Sequence, residues 1–201
     1  MTAFSMRDGV FVHPRGLCES ATVGSGTRIW AFAHVLEGAE IGRDCNVGDG
    51  AYVEGGARVG DRVTIKNQVM IFERVTVEDD VFLGPGVTFT NDLNPRAHIN
   101  RSGSELLATK VCRGATLGAQ AVVVCGTTVG QHAFIAAGAI VTRDVPAHGF
   151  VVGNPGRLIG WACECGLRLP ADLACTCGRN YANSADELSS SLIERDLLGC
   201  T

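Results

Sequence analysis

The chain has 201 residues, 46% of them hydrophobic but only 6% aromatic, with 26 glycines and a net charge of −4. That length holds one ordinary domain plus a small appendage, and the charge lacks the basic excess that nucleic-acid binding requires. The first twelve residues contain no apolar run of signal-peptide length, and no stretch reaches about 18 apolar residues. The sequence therefore predicts a cytoplasmic protein with no membrane association.

An internal period organises most of the chain. An aliphatic residue or Phe stands at every sixth position from Phe11 to Phe89, and again from Val111 to Val141. Four residues after most of these comes a small or β-branched residue: Ala33, Ala39, Cys45, Ala51 and Ala57, then Val63, Val69, Val75, Val81 and Val87. The two positions share parity, so in an extended chain both point to one side. Gly, Asp and Asn crowd the positions between, as in Gly42-Arg43-Asp44 and Gly48-Asp49-Gly50, where the chain has to turn. A corner every six residues with an aliphatic at each inward position describes a parallel β-helix. A β-sandwich would show turns at roughly 8–12-residue spacing and no fixed frame.

Over residues 11–160 this pattern resembles the hexapeptide-repeat acyltransferases. The resemblance implies an all-β, left-handed parallel β-helix with three hexads per coil, assembled as a homotrimer. The β-helix domain then occupies residues 1–160 and a separate segment residues 161–201. Adjacent coils lie about 4.8 Å apart in such a helix, so residues three hexads apart stack in columns.

His34 begins a column through Tyr52, Met70 and Thr88, and Asn91 stacks over Glu73, Gly55 and Glu37. The frame breaks behind Asn91. Pro95–Lys110, PRAHINRSGSELLATK, is out of register, and a loop this long in a solenoid is either functional or a tolerated insertion. Its Pro, Arg, His and Ser content suits an exposed arm reaching a neighbouring subunit. The residues before it, Phe89-Thr90-Asn91-Asp92-Leu93-Asn94-Pro95-Arg96, place amides, a carboxylate and a guanidinium where the chain leaves the helix.

That segment, with Arg28-Ile29-Trp30-Ala31-Phe32-Ala33-His34-Val35 and Val151-Val152-Gly153-Asn154-Pro155, resembles the N-acetyltransferases of UDP- and dTDP-linked 3-amino sugars. The resemblance implies acetyl-CoA as cosubstrate, a nucleotide-linked amino sugar as acceptor, and Asn91 against the reacting amine. An amide is no base at neutral pH, so Asn91 would orient the amine, whose proton leaves to solvent or to Asp92. The other reading of Asp92 is a corner residue making a side-chain turn. Glu37, Glu73 and Arg96 are the candidates for acceptor binding. His34 lies three coils below Asn91, roughly 15 Å, and is either catalytic across a subunit boundary or structural. An O-acetyltransferase, or transfer of another acyl group, is the alternative use of the same scaffold.

Relatives bind acetyl-CoA along the C-terminal coils, in a groove between subunits. The small residues stacked there, Gly118 with Ala136 and Ala119 with Ala137, match the needs of a narrow pantetheine arm. Arg143 and Arg157 are either phosphate ligands or solvated surface charges.

After Trp161 the composition changes. Nine cysteines, an odd count with a cluster at one end, argue for metal rather than a disulfide framework. Cys163-Glu164-Cys165-Gly166 and Cys175-Thr176-Cys177-Gly178 are knuckles in mirror positions, which a structural four-thiolate zinc (Zn2+) site requires. Redox-active or unliganded thiols are the alternative. Asn183-Ser184-Ala185-Asp186-Glu187 then reads as a capping box opening a helix with Leu188, Leu192 and Ile193 on one face.

Overall fold

The structure, a computed structural model, describes residues 5–184 and 187–191. Two-residue strands alternate with corners and stack into three parallel sheets, the faces of a prism. The first face carries rungs such as Arg28–Ile29, Asn46–Val47, Thr64–Ile65, Phe82–Leu83, Thr116–Leu117 and Phe134–Ile135. The second carries His34–Val35, Tyr52–Val53, Met70–Ile71, Thr88–Phe89, Val122–Val123 and Ile140–Val141. The third carries Glu40–Ile41, Arg58–Val59, Val75–Val77, Thr109–Val111 and Thr128–Val129. Register follows the columns read from the sequence: His34 pairs with Tyr52, Tyr52 with Met70, and Met70 with Thr88.

Two constraints make each coil. The inward positions fill the prism: Ile29, Val35, Val47, Val53, Ile65, Ile71, Leu83 and Phe89 are fully buried, as are the second-position residues Ala39, Cys45, Val63, Val69 and Val87. Each aliphatic side chain so removed from water contributes about 1.5–3 kcal/mol. The corners impose the second constraint. From Gly26 to Gly86, and again from Gly114 to Gly138, every sixth residue is left-handed, with φ between 54° and 83°. Gly takes that conformation without penalty, and Phe32, Asp44, Arg62, Gln68 and His132 adopt it too.

A different glycine position answers to stacking. A Cβ on Gly118 would stand 2.5 Å from the backbone nitrogen of Ala137, and one on Gly130 2.5 Å from that of Ala147. Gly118 is thus required by the next coil, whatever else its corner does.

The excursion from the frame begins at Asp92, after Asn91, and ends sooner than position 110. The Leu107 N–H donates to the Asn91 carbonyl at 2.9 Å, and Thr109–Val111 already pairs with Val75–Val77. Thr109 and Lys110 are therefore sheet residues, in register because Val111 resumes the inward column. Within the arm, Leu93–Asn100 are exposed, Arg96 and Ile99 form an isolated bridge, and Gly103–Glu105 makes a single 3-10 turn. Leu106 is buried and fastens the arm to the coil.

Both ends of the prism are finished by antiparallel strands. Ser5–Arg7 pairs with Val10–Val12 at the start, and Gly149–Val152 with Arg157–Trp161 at the other end. The capping-box expectation fails: Asn180–Ser184 and Glu187–Ser191 pair as an antiparallel hairpin, and no α-helix occurs among the described residues. Asn183 and Ser184, expected at a helix start, are strand residues, and Leu188 lies in the second strand; Leu192 and Ile193 fall outside the described residues. The serine run Ser189-Ser190-Ser191 explains the miss, because hydroxyls compete for the backbone groups a helix must pair. No helix of the described residues is long and apolar enough to cross a membrane.

Candidate active site and cysteine cluster

Asn91 leaves the second face at the edge it shares with the third. A pocket of about 470 Å³ opens there, bounded by Glu54, Glu73, Asn91, Asp92, Arg96 and Arg101. Four residues expected from the sequence, Asn91, Asp92, Glu73 and Arg96, meet in it. Glu54 and Arg101 were not expected. Glu54 stands one position off the Asn91 column, and its carboxylate accepts the Glu73 N–H at 2.7 Å. Arg101 sits in the arm, where no frame predicts contacts.

The arm is clasped at its root. The Arg101 guanidinium donates to Asp92 Oδ2 at 3.0 Å and to the Asn94 carbonyl at 2.6 Å, while Asp92 Oδ1 accepts the Asn94 N–H at 2.8 Å. That N–H first, and then the Arg101 guanidinium, hold the Asp92 carboxyl below the usual range. Both Asp92 oxygens are thereby engaged. With Leu107 bound to the Asn91 carbonyl, the backbone on each side of Asn91 is fixed, and among the described residues no hydrogen bond engages its side-chain amide.

His34 and Glu37 do not reach this pocket. His34 Nε2 lies 3.1 Å from Glu19 Oε2, its ring edge-on to Tyr52, and Glu37 is exposed at the same edge, three coils from Asn91.

Gly118, Ala119, Ala136 and Ala137 lie on a different edge, between the first and second faces. Ala119 and Ala136 are half-buried and Ala137 is exposed, leaving a shallow strip of small side chains. Arg157, exposed, begins the returning end strand after the Gly153–Gly156 turn, whose Gly156 N–H donates to the Ile140 carbonyl at 2.7 Å. Arg143, also exposed, follows Ile140–Val141 and stands on the second–third edge instead. Within one chain the width of the second face separates the small-residue strip from the Asn91 pocket.

The cysteine segment is built from two copies of one turn. The Cys163 N–H donates to the Leu167 carbonyl and the Cys175 N–H to the Arg179 carbonyl, each at 2.8 Å. Gly166 and Gly178 follow with φ of 88° and 94°, a conformation that suits glycine. The turns set Cys163 Sγ 3.5 Å from Cys177 Sγ, and Cys165 Sγ 3.5 Å from Cys175 Sγ, with all four sulfurs within 4.8 Å of one another. Thiolates at about 2.3 Å from a tetrahedral zinc would be separated by about 3.8 Å, so the donor set fits that ion. The backbone N–H of Arg179, and then its guanidinium, lower Cys177 to about 6. The Tyr181 hydroxyl lies 3.1 Å from Cys163 Sγ and accepts the Glu164 N–H, while its ring meets His148 of the last coil edge-on.

Comparison with known proteins agrees with this architecture. The chain matches the bacterial transferase hexapeptide (six repeats) family over residues 20–55, and the hexapeptide repeat of succinyl-transferase over residues 38–73 and 111–143. It is 50% identical over 192 residues to a dTDP-3-amino-3,6-dideoxy-α-D-galactopyranose 3-N-acetyltransferase of Aneurinibacillus thermoaerophilus, covering 94% of this chain and 98% of that one. The acetyltransferase domain of PglB from Neisseria gonorrhoeae FA1090, solved in complex with acetyl coenzyme A, shares the fold. Its TM-score is 0.52 at 19% identity, over 76% of this chain and 58% of that chain. A hexapeptide-repeat acetyltransferase of Vibrio cholerae gives a TM-score of 0.50 at 24% identity, over 62% of this chain and 70% of that one. The chain belongs to the hexapeptide-repeat acyltransferases, and within them to the branch of nucleotide-linked 3-amino-sugar N-acetyltransferases.

Proposed function

We propose that this enzyme transfers the acetyl group of acetyl-CoA to the amine of a nucleotide-linked 3-amino sugar, a dTDP-linked 6-deoxyhexose being the first acceptor to test. The observation that carries this is the pocket behind Asn91, where the Asn91 amide, three carboxylates and two guanidiniums border a site large enough for a hexose. The relative's dTDP-linked acceptor supplies the nucleotide.

Asn91 orients the amine, its backbone held by the arm. The amine nitrogen attacks the thioester carbonyl, a C–N bond forms as the C–S bond breaks, and the ammonium proton passes to the departing thiolate or to solvent. Asp92 is not the base: both oxygens are bound and its carboxyl is more acidic than usual. Its role is to clasp the arm. Glu73 and Glu54 attract the acceptor's ammonium form, which gives up one proton to solvent before the neutral amine attacks, and Arg96 faces its phosphates.

Acetyl-CoA lies along Gly118, Ala119, Ala136 and Ala137, with Arg157 toward its phosphates. Because this strip and the Asn91 pocket occupy opposite edges of the second face, one complete site takes an edge from each of two copies. Three copies with their second faces toward a common axis close that arrangement, a homotrimer. Arg143, on the Asn91 edge, then reaches the CoA phosphates of a neighbouring copy. Cys163, Cys165, Cys175 and Cys177 hold a structural zinc ion, with no position left open for chemistry. The reduced thiols of these residues and of Cys45, Cys112 and Cys125 suit the cytoplasm.

Thiol release from acetyl-CoA, measured across UDP- and dTDP-linked amino sugars and their hydroxyl counterparts, tests the reading. Turnover with an amino sugar and at least about tenfold less with Asn91→Ala are expected. Turnover confined to hydroxyl acceptors would make the enzyme an O-acetyltransferase, and an unimpaired Asn91→Ala would remove that residue from the site.

A further inference from the structure

We propose that the aromatic row beside the Asn91 pocket, Tyr52 and Phe72, seats the pyrimidine base of the acceptor. This rests on the nucleotide-sugar reading and deepens it, since the pocket accounts for the hexose and not for the nucleotide.

The two rings lie with centroids 6.0 Å apart at an interplanar angle of 56°, and His34 packs edge-on behind Tyr52 at 6.0 Å. All three are half-buried within one copy, so each ring keeps a surface facing the cleft that the proposed site shares between two copies. The row is continuous with the pocket. Phe72 immediately precedes Glu73, and Tyr52 stands two residues before Glu54; both glutamates line the cavity. Burial, and then the Glu54 carboxylate, raise the Tyr52 phenol, which stays a neutral hydrogen-bond donor.

The spacing also fits. Tyr52 pairs with Met70, and Met70 with Thr88, the rung from which Asn91 hangs. Tyr52 is therefore two rungs below the reacting amine, roughly 10 Å, a gap suited to the ribose and two phosphates between hexose and base. Arg96 borders the same cavity, and its described partner is the carbonyl of Pro95 rather than a carboxylate. Base on ring, diphosphate toward Arg96 and hexose against Asn91 occupy one continuous surface. Aromatic faces bind bases by stacking.

The test uses the full-length protein and dTDP without a sugar. Saturation-transfer NMR on the unaltered protein should show the strongest transfer on the thymine methyl. Calorimetry should show Tyr52→Ala and Phe72→Ala each losing on the order of tenfold in dTDP affinity, with CoA affinity unchanged. Tyr52→Phe should retain stacking and most of the affinity. In turnover, Tyr52→Ala should raise KM for the acceptor by a similar factor and leave kcat in place, whereas Asn91→Ala should lower kcat and keep dTDP affinity. Three results would each overturn the proposal: inorganic pyrophosphate binding as tightly as dTDP, unchanged dTDP affinity in both alanine variants, or dissociation of the assembly by Tyr52→Ala with the thymine methyl silent. The last would assign the rings to subunit contact. If dTDP binds the rings and no nucleotide-linked amino sugar is acetylated, the acceptor reading fails while the base site stands.

Discussion

The coiled body and the cysteine cap solve the same problem in opposite ways. In the body, stability is spread along the axis: every coil buries several aliphatic side chains, and no single rung holds the others together. Among the described residues the cap buries Cys163, Leu169, Cys175 and Tyr181 as a cluster, with Trp161 and Leu173 packed against it. So small a core does not offset the entropy of ordering the segment, and on the proposed zinc reading four converging thiolates take over the role of a hydrophobic interior. A repeat can tolerate local damage; a cap built around one centre cannot.

Breaking the centre should have the largest effect. Cys163→Ser is expected to drop bound zinc to background by elemental analysis and to expose the cap to proteolysis, while the main thermal transition of the body stays in place. Loss of the whole transition would mean that the cap is integral to the β-helix. In the body the strongest single lesion is Phe89→Ala, which empties a fully buried site two residues before Asn91. It should cost about 3–5 kcal/mol by chemical denaturation, and a smaller loss would show that the coil collapses around the void.

A finer contrast lies within the corners. Gly118→Ala drives a methyl against the Ala137 nitrogen and should cost about 2 kcal/mol. Gly138→Ala meets nothing within 4 Å at a φ of 70° and should cost only about 1 kcal/mol. Equal losses would remove coil stacking as the reason for the Gly118 column.

The smallest effect concerns pH. Because Asp92 is more acidic in the folded chain, its clasp is complete above the ordinary aspartate pKa and is lost only as pH falls through the lower folded value. Near neutrality, Asp92→Asn should therefore leave the shape of the kcat/KM profile unchanged while lowering its height a few-fold. A limb near neutrality that vanishes in Asp92→Asn would restore Asp92 as the proton acceptor.

How much was readable beforehand follows from the same contrast. The frame, the columns, the knuckles and the stacking of Asn91 over Glu73 were legible because spacing alone decides them, and Arg96 was found by its nearness in sequence to Asn91. Arg101 was not, since the arm has no period to place it. Glu54 had a signal that went unused, its position beside the Asn91 column and above Leu36. Within one chain His34 stands three coils from Asn91, as the columns required, and its contact with Glu19 had no signal in the period. Beyond the last coil, where local propensity replaced periodicity, a capping-box pattern proved too weak to specify a helix.

The arm leaves the prism at one corner and returns to that corner, and the columns above and below it pass through undisturbed. The scaffold therefore registers no difference between a short arm and a long one. On the proposed reading, exchanging this segment would alter the part of the acceptor site that the arm contributes, at little risk to folding, while the coil residues and the small-residue strip stay as they are. The corner behind Asn91 would then serve as a grafting point, where what is acetylated could be revised without rebuilding how.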